Sequence, residues 1–103
     1  VGEVALVVAL RDAADLGALV RRERLGALDP SQGFAVDLAR TVALHLELDR
    51  VVDATAERLY VHPNTVRHRL KRFTELTGLD LDSTFGAVET WWAVTDWLAS
   101  TDR

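Results

Sequence analysis

Cysteine and methionine are both absent from this chain of 103 residues, proline occurs twice and tyrosine once. Without cysteine there is no disulfide framework, no thiolate metal site and no thiol nucleophile, and a reducing cytoplasm is the expected compartment. Long apolar runs are missing too. The longest, residues 4–10, stops at Arg11, well short of the ~18–20 residues that span a bilayer, so no contact with a membrane is expected. It has neither a basic leader nor a convincing cleavage site, so a signal peptide is not expected. The chain begins at Val1 and holds no methionine, which reads as a piece of a longer protein.

Chemistry-bearing patterns are equally scarce. There is no glycine-rich phosphate loop, no nucleophile elbow and no Ser/His/Asp arrangement. His62 and His68 are six residues apart across an expected helix start, and His45 has no acidic or histidine partner one turn away, so the histidines lack ligand spacing. Asp80 and Asp82 lie in a short polar link and read as helix-flanking solubilisers. No enzyme activity, metal or cofactor is expected.

What the chain does have is an uneven charge. Its net charge of −4 argues mildly against a nucleic-acid partner, but Arg58, Arg67, Arg69, Lys71 and Arg72 give +5 over a stretch without an acid, leaving −9 for the remainder. Phosphate attraction is local, because charges are screened within about 10 Å at ordinary salt, so a basic patch on an acidic body suffices.

With 49% hydrophobic residues and 103 in all, the chain suits one domain with a single core. Residues 4–10 suit either a buried strand or a buried helix; no second strand-like run exists to pair with them, so a short helix is expected. Asp12 is a good N-cap for a helix over residues 13–24. Gly26, Asp29, Pro30 and Gly33 mark a loop. Residues 34–48 read as a helix with Phe34, Leu38, Val42 and His45 or Leu46 on one stripe. After a polar break at Asp49 and Arg50, residues 51–59 form a short helix and residues 60–62 a corner. Pro63 then opens a basic helix that runs to Thr77, with Gly78 as its stop. Ser83 can cap a last helix ending near Ala99. In that helix Trp92 is expected in the core, and Trp91 or Trp97 is a candidate for contact with another chain or domain.

A short helix, a tight corner and a basic helix are the parts of a helix-turn-helix, over about residues 52–77. On the basic helix Val66, Leu70 and Phe73 recur as an apolar stripe, while Asn64, Arg67, His68 and Lys71 recur on the opposite face. Arg67 can bind guanine O6 and N7 in a fork, and Asn64 can pair with adenine N6 and N7. Arg58, Thr65 and Arg72 suit phosphates, together with the free N–H groups at the helix start near Asn64 and Thr65. Tyr60 stands at the turn position, which is often glycine.

The run His62, Pro63, Asn64, Thr65, Val66, Arg67, His68, Arg69 and Leu70, followed by Phe73, Glu75, Leu76 and Gly78, resembles the C-terminal DNA-binding domain of PucR-type transcriptional regulators, the group of purine-catabolism and carbohydrate-diacid regulators. The resemblance extends over roughly residues 20–99. His68 stands where such domains usually carry tyrosine, and Arg69 falls near the apolar stripe, where a structural role is expected of it. The resemblance implies an all-α fold of five to six helices built around a helix-turn-helix, Fis-like in arrangement. It implies sequence-specific binding of double-stranded DNA; a homodimer is expected, because two-fold proteins read paired half-sites about one helical turn apart. Base readout is expected from Asn64, Arg67, His68 and Lys71, and phosphate contact from Arg58, Thr65 and Arg72. Residues 1–28 are expected to end the link from an upstream region that would bind any small-molecule effector, and residues 29–103 to form the DNA-binding domain. The competing reading is a helical interaction or dimerisation module without DNA readout.

Overall fold

The computed structural model describes residues 23–101, and among them there are four helices and no strand: α1 Gly33–Glu47, α2 Val52–Leu59, α3 Pro63–Thr77 and α4 Thr84–Thr101. The described part of the chain is therefore all-helical. The count of five to six helices is not reached among these residues; the helix expected over residues 4–10 and most of that over residues 13–24 fall outside them.

Helix α1 is the hub, packing against α2, α3 and α4, while α2 also packs on α3. Its buried positions Ala35, Leu38, Ala39 and Val42 follow the i, i+3, i+4, i+7 pattern, and Thr41 and His45 widen the stripe. Ala35 and Ala39 are small enough to let neighbouring helices approach closely. The core joins Leu38 and Val42 to Phe73 of α3, to Ala93, Val94 and Trp97 of α4, and to Leu25, Leu28, Leu79 and Leu81 from the connecting segments.

Two expectations about large side chains fail here. Phe34 was placed on the buried stripe of α1, but it lies at the helix end and is half exposed. In α4 the buried set is Thr90, Ala93, Val94 and Trp97, so Trp97 belongs to the core, while Trp91 and Trp92 are half-buried and Phe85 points to solvent. The reason is that α4 is apolar on nearly every side, so hydrophobicity alone does not set its rotation. Close approach at Ala93 does.

The corner after α1 is a Schellman-type end: the Arg50 N–H donates to the His45 carbonyl at 2.8 Å and the Asp49 N–H to the Leu46 carbonyl at 3.3 Å. Both Asp49 and Arg50 are left-handed there, at φ 59 and 63. Arg50 is more than a polar break. Its Nη1 donates to the Leu81 and Asp82 carbonyls at 3.3 and 2.8 Å, tying this corner to the segment between α3 and α4. Ser83 Oγ caps α4 by accepting from the Gly86 N–H at 3.0 Å. Only glycine fits at position 86, since a Cβ there would collide with the Asp80 carbonyl oxygen.

Candidate nucleic-acid interface

Helix α2 carries one small, fully packed side, Thr55 and Ala56, and stops after eight residues because Tyr60 turns left-handed at φ 58, ψ 41. The Val61 N–H then reaches back to the Ala56 carbonyl at 3.0 Å and the Tyr60 N–H to that of Glu57 at 3.3 Å, a second Schellman-type end. A non-glycine residue in this region costs on the order of 1–2 kcal/mol. Tyr60 bears that strain while 95% exposed, so no packing of its ring offsets it.

Three residues later α3 begins. His62 is extended, as a residue before proline must be, and its Nδ1 accepts from the Asn64 N–H at 3.0 Å. In its neutral form the ring thus carries its proton on Nε2. The His62 carbonyl accepts from the Thr65 N–H at 2.9 Å. The N–H groups of Asn64 and Thr65, expected to be free for a phosphate, are therefore both engaged within the turn. Histidine is not among the favoured N-caps, and nothing else in the sequence signals this role.

The two faces of α3 separate cleanly. Val66 and Phe73 are fully buried, Thr77 is buried, and Leu70 and Leu76 pack half-buried against the core. Asn64, Arg67, His68, Lys71 and Arg72 are exposed, as is Arg58 at the end of α2, while Thr65 is half-buried. His68 thus lies with the solvent-facing residues. Within the exposed set, Arg67 Nη1 donates to Asn64 Oδ1 at 2.8 Å. Arg72 sits 3.7 Å from Glu75, with both side chains about half exposed. Such a surface pair is worth only a few tenths of a kcal/mol and yields readily to a phosphate. Arg69 is set apart from the others. It is half-buried and its Nη1 donates to Thr41 Oγ1 of α1 at 3.2 Å, which makes it a strut between helices. The hydroxyl is available because Thr41 itself donates to the Asp37 carbonyl at 2.7 Å.

In the last turn of α1 the His45 ring is buried and its Nδ1 has no hydrogen-bond partner among the described residues. Burial holds the ring below the ordinary histidine pKa, helped by Arg50 and opposed by Asp82. An open groove of about 340 Å³ between α1, α2 and α4 has an apolar floor of Ala43, Leu44, Leu59 and Leu98, with Arg40, Glu47 and Thr95 also lining it. Among the described residues no three histidine or acidic side chains come together as a metal site, and no helix is long and apolar enough to cross a membrane.

Residues 38–95 match the model of the PucR C-terminal helix-turn-helix domain. The chain is 46% identical over 44 residues to the purine catabolism regulatory protein of Bacillus subtilis, covering 43% of this chain and 8% of that protein. It is 34% identical over 47 residues to the proline-responsive transcriptional activator PutR of the same organism, covering 46% and 11%. An uncharacterized protein of Mycobacterium tuberculosis is 49% identical over 43 residues, covering 42% and 10%. The matched segments thus span about a tenth of these relatives' length. Among solved structures, a regulator of polyketide synthase expression from Bifidobacterium adolescentis superposes with a TM-score of 0.65 at 30% identity, over 92% of this chain and 38% of that one.

Proposed function

The chain belongs to the family of PucR C-terminal helix-turn-helix domains, and from that premise we propose that it binds duplex DNA sequence-specifically as the output module of a transcriptional regulator. The observation that carries the reading is the contrast across α3: one side is locked into the core by Val66 and Phe73, and the other offers Asn64, Arg67, His68 and Lys71 to solvent. In this reading α3 enters the major groove and α2 braces it across the backbone. Asn64, Arg67, His68 and Lys71 face base edges, and Arg58, Thr65 and Arg72 hold phosphates. The module works without a cofactor and catalyses no reaction. Two copies related by a two-fold axis read half-sites about 34 Å apart, one helical turn. Residues 29–103 are the DNA-binding unit, and residues 1–28 connect it to a region that senses any small-molecule effector. The setting is the cytoplasm.

Selection from a random duplex pool with the 103-residue chain tests the reading. Enrichment of one motif, repeated with two-fold symmetry, is the expected result; a pool that stays random sinks the proposal. The exposed rings of Phe85 and Phe34 favour a second reading, a protein-interaction module. It predicts self-association or partner binding that survives loss of the cations on α3.

A further inference from the structure

We infer that Asn64 is a positioning residue for Arg67 and not a separate reader of adenine, so that the first turn of α3 reads one base pair through a pre-set guanidinium. This rests on the DNA-reading proposal above. Asn64 and Arg67 lie one turn apart, and Arg67 Nη1 donates to Asn64 Oδ1 at 2.8 Å. Both residues are exposed, so packing does not force the bond. Asn64 is itself anchored, because its backbone N–H is tied to the His62 ring at 3.0 Å. The His62 ring fixes the Asn64 backbone, and the Asn64 side chain in turn meets the guanidinium.

Donor accounting decides what each group can still do. A guanidinium carries five N–H donors. One goes to Asn64, and the rest still form the fork that matches guanine O6 and N7. Asn64 fares differently. Pairing with adenine requires Oδ1 to accept from N6 while Nδ2 donates to N7. Here one of the two Oδ1 lone pairs already accepts from a cation, in a charge-assisted bond roughly twice as strong as the neutral one adenine offers, so the amide can turn its edge toward adenine only as far as Arg67 leaves it free. A free arginine side chain also has about 2 kcal/mol of rotamer entropy to lose on binding. Holding it beforehand removes part of that cost.

The test is a double-mutant cycle on the duplex selected from the random pool, and on each of its single-base-pair variants. Asn64→Ala and Arg67→Ala are expected to relax preference at the same guanine–cytosine pair, each weakening the selected site about tenfold. The double variant binds no worse than Arg67→Ala alone. Asn64→Asp retains an oxygen acceptor toward Arg67 and keeps the preference at that pair, while its charge lowers affinity on every duplex. Thermal melting of each variant verifies that the helix start is intact. If Asn64→Ala instead relaxes an adenine–thymine pair, and its effect multiplies with that of Arg67→Ala, the coupling is overturned while DNA reading stands. If neither variant changes preference at any pair, both the coupling and the assignment of α3 as the reading helix fall.

Discussion

The two sides of α3 share one backbone and divide the work between them. On the inner side Val66 and Phe73 have no exposed surface, and the helix packs on α1 and α2. On the outer side polar and basic groups reach solvent, tied to one another where they are tied at all. A helix loosely attached to its scaffold could carry the same outer residues but could not hold them in register against base edges. If α3 reads DNA as proposed, the buried half sets the precision with which the exposed half can do so.

The deepest cut through that division is Phe73→Ala. Removing a fully buried phenylalanine side chain costs about 3–5 kcal/mol, a large part of the roughly 5–15 kcal/mol of a small domain. Urea unfolding is expected to show that loss, with DNA binding falling as the folded fraction falls. Wild-type stability in this variant contradicts the inner role. Arg67→Ala is the converse: about 1–3 kcal/mol of binding to the selected site disappears, while the melting temperature stays put, as usual for an exposed position. A clear drop in melting temperature breaks the separation of the faces.

Arg69 sharpens the boundary, being a cation on α3 that points inward. Arg69→Ala is expected to lose about 1 kcal/mol of stability, the worth of a hydrogen bond such as the one to Thr41, and to leave base preference unchanged. Relaxed specificity without lost stability reassigns Arg69 to the DNA side.

The smallest effect near neutral pH comes from His45. Its pKa in the folded chain is depressed by burial, so the folded state resists protonation and the unfolded state does not. The stabilisation from keeping this ring neutral is complete above the unfolded histidine pKa of about 6.5 and is lost as pH falls below it. Chemical unfolding from pH 7.5 down to 5 is expected to show stability declining, and the decline flattening in His45→Leu. Equal slopes in the two proteins remove His45 from the account.

Periodicity made the inner stripe of α3 legible in the sequence, and Pro63 and Gly78 marked its ends, because helix packing and chain stops depend on local residue type. The corner was legible as a position but not as a conformation. Nothing in the sequence says that Tyr60 accepts a left-handed backbone, a state enforced by the two N–H groups that fold back onto α2. The rotation of α4 escaped for a different reason: a helix apolar on most sides has no preferred inner face until its neighbours choose one, and here they chose Trp97 over Trp92. Links of long sequence separation, Arg50 to residues 81 and 82 and Arg69 to Thr41, depend on the assembled fold and leave no local trace. At the interface the residue types were legible and their partners were not. His62 serves as a cap, and Asn64 faces Arg67, only once the turn has formed.

The most direct test of α3 as a DNA-reading surface is the salt dependence of binding to the selected duplex, measured by fluorescence anisotropy between 50 and 200 mM salt, a range of about a factor of four that is wide enough to resolve a counterion-release slope. With Arg69 held by Thr41, four cations remain on this stretch: Arg58, Arg67, Lys71 and Arg72. With Arg58 and Arg72 on phosphates, log K per bound chain falls against log salt with a slope of about −2, steepening toward about −3.6 where Arg67 and Lys71 also neutralise phosphates, at about 0.9 for each. A slope near zero, or no binding at the lowest salt, contradicts the account.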